Sequence, residues 1–156
     1  MIREFLTLIG IYKIYERWLR RQLKGGAKVE HIAVIADESF YTKVKDKEVP
    51  SLSGKIVDLL KWCLELNVKY VTVYALSIDA LQLPREQIDK PLQVLETGLE
   101  RLLKEDTLHR YEVNVKAIGK IEMLPERIKE LINSLEESTK SYNKHFLNLA
   151  VAYRGR

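Results

Sequence analysis

The sequence predicts an α/β fold, a mostly parallel sheet with helices on both faces. Short runs of branched apolar residues recur along the chain, beginning with Ile32-Ala33-Val34-Ile35-Ala36, as strands buried in a parallel sheet require. Between them lie stretches whose apolar residues fall at helical spacing, and such alternation implies right-handed crossovers into one sheet. Size agrees: 156 residues, 46% hydrophobic and 31% charged, suffice for one self-supporting core and not comfortably for two.

The elements follow in order. Residues 1–26 are expected to form an amphipathic helix: Leu8, Ile11, Tyr15, Trp18 and Leu19 recur at helical spacing, with Arg17, Arg20, Arg21 and Lys24 close by. Gly25-Gly26 ends it. The apolar run over 5–12 is too short to span a bilayer. Two readings remain, a helix lying on a membrane surface and one packed on its own domain or a partner. Residues 27–156 are expected to form the α/β domain, with a first strand over 32–36. The polar stretch 37–53, carrying Lys43, Lys45, Asp46, Lys47 and Glu48, reads as an exposed loop. Ile56, Leu59, Leu60, Cys63 and Leu64 share one helical face, and Asn67 is a fitting stop. Residues 70–76 are the second strand, after which Pro84 and Pro91 punctuate a connection. Leu92, Leu95, Leu99, Leu102 and Leu103 mark a long helix, and a third strand over 112–118 ends at Gly119. Ile128, Leu131, Ile132 and Leu135 mark a helix starting after Pro125, and the fourth strand covers 146–153.

Several chemistries are excluded or weakened. A single cysteine, Cys63, rules out an internal disulfide framework and a cysteine zinc site, and points to a reducing, cytoplasmic setting. Its place on an apolar face suits a buried small hydrophobe better than a nucleophile. Lys and Arg total 26 against 22 Asp and Glu, a net +4. That excess suits a polyanion or an anionic membrane without demanding either, and no nucleic-acid partner is expected. No Gly-rich phosphate loop is present, since Gly25-Gly26 precedes a strand. His31, His109 and His145 lack metal-ligand spacing, and His31, at a strand start, reads as a structural hydrogen-bonder. Ligands of open parallel sheets bind at the carboxyl ends of strands. That rule singles out Asp37, Ser77 to Asp79, Gly119-Lys120 and Arg154 to Arg156. A carboxylate such as Asp37 there suits Mg²⁺ or a catalytic acid, and an N-cap or loop role is the structural alternative.

Read together, the strand ends resemble the cis-prenyltransferases. His31-Ile32-Ala33-Val34-Ile35-Ala36-Asp37 is similar to the family's opening His-Ile-Ala-Ile-Ile-Met-Asp. The segment from Trp62 to Ser77 resembles its next helix and its Leu-Thr-Leu-Tyr-Ala-Phe-Ser strand. Ile118-Gly119, Leu124-Pro125 and the segment from Thr139 through Asn143 match later landmarks, and Tyr153-Arg154-Gly155-Arg156 is like Tyr-Gly-Gly-Arg. Ile11 to Glu16, with Arg20, is similar to the archaeal and eukaryotic branch. These enzymes condense isopentenyl diphosphate onto an allylic diphosphate, so the resemblance implies an apolar tunnel for the growing chain. It also implies Mg²⁺ at Asp37 and substrate contacts at Ser77, Asp79 and Arg156.

Departures from the pattern shape the functional expectation. Glu38-Ser39-Phe40-Tyr41-Thr42 stands where the family has Gly-Asn-Gly-Arg-Trp. Ser77-Ile78-Asp79-Ala80-Leu81-Gln82-Leu83-Pro84 stands for Ser-Thr-Glu-Asn-Trp-x-Arg-Pro, so Leu83 replaces a diphosphate-binding arginine. The family's last strands and helices would follow Arg156. Losing one charge-assisted contact to a phosphate costs about 1.5–3 kcal/mol. The expected role is therefore a non-catalytic subunit, similar to the Nogo-B-receptor type. It would form a heteromer with a catalytic homologue, or dimerise with itself, with peripheral membrane contact through residues 1–24. The alternative is a divergent Mg²⁺-dependent enzyme that uses Asp37, Lys43, Lys45 and Arg156, Mg²⁺ being the cofactor only in that case. A blander class is a lipid- or membrane-binding relic without a partner.

Overall fold

The structure is a computed structural model, and it describes residues 29–35 and 49–154, with side chains over 29–35 and 53–154. The chain divides into two units, Met1–Glu30 and His31–Arg156, and the fold described below belongs to the second. The helix expected over 1–26 and most of the expected loop, residues 37–48, lie outside the described residues.

Four strands form one parallel sheet in the order β1-β2-β4-β3: β1 (His31–Ile35), β2 (Tyr70–Tyr74), β3 (Val113–Ile118) and β4 (His145–Ala150). Register carries the alternation across the sheet. Ile32 sits beside Val71, Val71 beside Leu147, and Leu147 beside Val115. The neighbouring row holds Thr72, Asn148 and Lys116 on the opposite face. With a side-chain period of two, one face is continuously apolar, and Val71, Val73, Val113, Val115, Leu147 and Leu149 are all buried.

Three long helices, α1 (Val49–Glu65), α2 (Arg85–Lys104) and α4 (Glu126–Thr139), pack in a row, with α2 between the other two. A single turn, α3 (Thr107–Arg110), follows α2. Leu60 and Leu64 of α1, Leu99 and Leu102 of α2, and Ile128, Leu131, Ile132 and Leu135 of α4 join the sheet's apolar row in one core. Burial of each such side chain contributes about 1.5–3 kcal/mol. Asn67 ends α1 as expected. Its φ is 57°, and the amide of Val68 reaches back to the Cys63 carbonyl at 3.0 Å, a left-handed stop that asparagine tolerates.

At the β3 edge α4 covers backbone that would otherwise invite another strand. The amide of Val115 donates to Thr139 Oγ1 at 3.1 Å and that of Ala117 to Glu136 Oε1 at 2.9 Å. The side-chain amide of Asn114 donates to the carbonyl of Tyr142 at 3.1 Å, closing the turn that leads into β4.

Two expectations need correction. Residues 49–53 belong to helix α1, and Ser53 is only 1% exposed. Pro50 is the reason the sequence misleads: a proline is tolerated in the first helical turn, where its missing amide has no partner to lose. Pro91 does not punctuate a connection. It lies inside α2, while Pro84 sits at that helix's N-cap. The Pro91 ring is buried, so apolar burial offsets the hydrogen bond it omits.

Candidate functional site

The carboxyl ends of β2, β3 and β4 are laced into one shelf. The amide of Ala75 donates to the Ala150 carbonyl at 3.0 Å, and that of Tyr153 to Leu76 at 3.3 Å. The amide of Ile78 donates to Tyr153 at 3.1 Å, and Ser77 pairs with Tyr153 beyond the strands proper. On the other side, the amide of Val151 donates to Ile118 at 3.0 Å and that of Lys120 to Ala152 at 3.1 Å. Gly119 is required there: its φ is +133°, and a Cβ would fall 1.9 Å from the Val151 carbonyl oxygen.

Ser77 and Asp79 come together on this shelf. Ser77 Oγ accepts from the Ala80 amide at 2.9 Å, which organises the short turn Asp79–Gln82. The Asp79 carboxylate forms an ion pair with the Arg154 guanidinium. The Tyr74 hydroxyl donates to the Tyr153 carbonyl at 3.1 Å, bracing the residue before Arg154. Leu83 follows the turn, 36% exposed. Asp37, two residues beyond β1 in sequence, and Arg156, with Lys43 and Lys45, lie outside the described residues. The structure therefore unites two of the expected site residues. It also pairs Arg154, singled out by its place after the fourth strand, with Asp79, a partner 75 positions away that the sequence does not reveal.

Between α1, α2 and the sheet lies an apolar cavity of about 50 Å³. Val57 and Leu60 form one wall, Val94 and Gly98 another, and Val73 and Leu149 the floor. Ser53 is the polar exception. A Cβ on Gly54 would fall 2.2 Å from Arg101 Nη1, so the guanidinium lies directly over α1. From there Arg101 Nε donates to Glu105 at 2.6 Å, its Nη2 lies 3.6 Å from Asp58, and Lys61 reaches Glu105 at 2.7 Å. Burial pushes the Glu105 carboxyl up, but the hydrogen bonds from Arg101 and Lys61 outweigh it and leave its pKa below the ordinary value. A depressed carboxylate stabilises the fold above the unfolded-state value, about 4.3 for glutamate, and the gain is lost as pH falls through the lower folded value. Acid titration of the melting temperature is thus expected to be shallower below that pH in Glu105→Gln than in the wild type.

The remaining candidates have structural roles. Cys63 is buried, which pushes its thiol pKa up and disfavours the reactive thiolate. His31 Nε2 lies 2.8 Å from Thr72 Oγ1 on the sheet face opposite the core, the structural hydrogen bond expected of it. Among the described residues no group of three or more His, Cys, Asp or Glu side chains could hold a metal, and no helix is long and apolar enough to cross a membrane.

The parallel sheet thus carries Ser77, Asp79 and Arg154 at its carboxyl edge and an apolar cavity against its buried face. Residues 51–156 match the family model described as "Putative undecaprenyl diphosphate synthase", and the chain belongs to that family. It is 37% identical to a tritrans,polycis-undecaprenyl-diphosphate synthase (geranylgeranyl-diphosphate specific) of Methanopyrus kandleri over 97% of this chain and 58% of the relative. It is 39% identical to the Sulfolobus acidocaldarius synthase of the same description over 100% of this chain and 63% of the relative. The chain thus spans about three fifths of the length of these relatives. The fold is shared with lavandulyl diphosphate synthase from Lavandula x intermedia, with a TM-score of 0.72 and 24% identity over 83% of this chain and 57% of that one.

Proposed function

We propose that this chain is a divergent cis-prenyltransferase: it binds an allylic polyprenyl diphosphate and condenses isopentenyl diphosphate onto it. The observation that carries this is the apolar cavity between α1 and α2, at a sheet whose carboxyl ends hold Ser77, Asp79 and Arg154. The diphosphate would lie at the strand ends, and the cavity, about a third of the roughly 150 Å³ that holds one benzene ring, would receive only a small part of the hydrocarbon tail. That the relatives are named as synthases favours catalysis over the accessory-subunit role.

Mg²⁺ takes one or two carboxylates and completes its shell with substrate oxygens and water. Asp37, which matches the aspartate that holds Mg²⁺ in the family pattern, is the residue that would hold the ion with the diphosphate. When bound, the ion neutralises charge on the leaving diphosphate. Asp37 would orient it, while the apolar walls keep water from the allylic carbon.

The test is incubation of the full chain with Mg²⁺, radiolabelled isopentenyl diphosphate and geranylgeranyl diphosphate. Elongation is expected, and Asp37→Ala is expected to lower it about 10²–10³-fold, the scale of one lost electrostatic contact to a developing charge. One observation favours a second reading, a subunit that supports a catalytic homologue: Leu83 stands where the family pattern carries a diphosphate-binding arginine. That reading takes over if the chain alone elongates nothing but raises the turnover of a longer homologue. Any membrane contact through residues 1–24 would add to either role and is tested by sedimentation with anionic vesicles.

A further inference from the structure

We infer that Arg154, held by Asp79, is a diphosphate-binding residue of this chain. The inference rests on the proposed binding of a prenyl diphosphate and names a residue of that site.

Arg154 stands at the carboxyl end of the β4 path, beside the turn that follows β2. Anionic ligands of open parallel sheets are received at this edge. Its backbone is fixed from one side: Tyr153 gives its amide to Leu76 and takes hydrogen bonds from Ile78 and the Tyr74 hydroxyl. Its side chain is fixed from the other, through one Nη on the Asp79 carboxylate. Yet the pair remains open, with Arg154 51% and Asp79 63% exposed in their side chains. A guanidinium has five N–H donors in a planar fork that matches phosphate oxygens. Asp79 occupies one nitrogen, so most of the fork remains for a ligand. A carboxylate that orients an arginine while the arginine faces a phosphate reduces the entropy lost on binding.

The sequence supports a relocation of charge. Where the family's Tyr-Gly-Gly-Arg has its first glycine this chain has Arg154, and where the family has an arginine before proline this chain has Leu83. Leu83 lies four positions beyond Asp79 in the same loop. The cation absent from the β2 loop is thus supplied from the neighbouring strand and tied back to that loop through Asp79. As a structural ion pair alone the contact would carry little weight, since exposed pairs are worth about 0–1 kcal/mol.

Calorimetric titration of the full chain with Mg²⁺-pyrophosphate and with geranylgeranyl diphosphate tests the assignment. Arg154→Ala and Arg154→Gln are each expected to weaken both ligands about ten- to hundredfold. Asp79→Asn, which keeps the cation and removes an opposing charge, is expected to change affinity only a few-fold. An ion pair that merely holds two loops would make the arginine and aspartate variants lose alike. That result, or wild-type affinity in Arg154→Ala, overturns the inference and leaves the proposed function standing. A wild-type chain that binds neither ligand overturns both. Melting curves of the variants, whose altered side chains are exposed, show that the fold is retained.

Discussion

Gly98→Phe is expected to weaken binding of geranylgeranyl diphosphate about ten- to twentyfold while leaving inorganic pyrophosphate unaffected. Gly98 lies in the cavity wall on α2, and a Cβ there would meet its nearest neighbour, Ser53 Cβ, at 3.8 Å. One methyl group is therefore accommodated, and everything beyond it must enter the space between the helices. A benzyl group would fill the cavity of about 50 Å³ and displace the roughly two methylenes of a tail that it can hold, about 0.8 kcal/mol each. The loss, about 1.6 kcal/mol, corresponds to roughly ten- to twentyfold in affinity. Gly98→Ala is the control. It removes a glycine from a helix interior, so it is expected to raise stability by about 0.5–1 kcal/mol and to leave affinity near that of the wild type. Titration of both variants with both ligands separates a blocked cavity from a damaged fold.

The second large effect concerns the shelf itself. Gly119→Ala places a Cβ 1.9 Å from the Val151 carbonyl oxygen at a φ of +133°, where side chains are rarely found. Neither the clash nor the dihedral can relax without moving the other. The Val151 amide is bonded to Ile118 and the Lys120 amide to Ala152, so the segments on both sides are anchored. Backbone strain of about 1–3 kcal/mol adds to an overpacking penalty of about 1–3 kcal/mol. At about 2–4 °C per kcal/mol for a chain of this size, the melting temperature is expected to fall by about 5–20 °C. Thermal unfolding followed by circular dichroism measures it. An unchanged melting temperature would mean that the β3 and β4 ends are not held as described.

How much of this is legible in the sequence depends on the range of the interaction concerned. The strands were readable because a parallel core strand is a short run of branched residues, as Tyr70-Val71-Thr72-Val73-Tyr74 shows. Asn67 and Gly119 were readable as stops because a left-handed or tightly approached backbone selects its residue locally. Pro91 misled because its local rule, that proline breaks helices, yielded to burial against a core assembled from distant segments. The site shows the same division. Ser77 and Asp79 could be singled out from their place after a strand, and a resemblance gave them a role. Arg154 follows from the same rule, but its pairing does not, since Asp79, the partner that fixes it, is remote in sequence. Gly54 carries no chemical signature, and the Arg101 guanidinium that lies over it is placed only once α1 and α2 pack together.

Photo-cross-linking tests the central claim most directly. A geranylgeranyl diphosphate analogue with a photoreactive terminal isoprene, bound to the full chain and irradiated, is expected to label peptides covering 53–60 of α1 and 94–102 of α2. Excess unlabelled geranylgeranyl diphosphate should suppress that labelling, and so should Gly98→Phe. Labelling confined to the opposite sheet face around Tyr70 and Phe146, or indifferent to both competitor and Gly98→Phe, would contradict the placement of a prenyl chain between the helices.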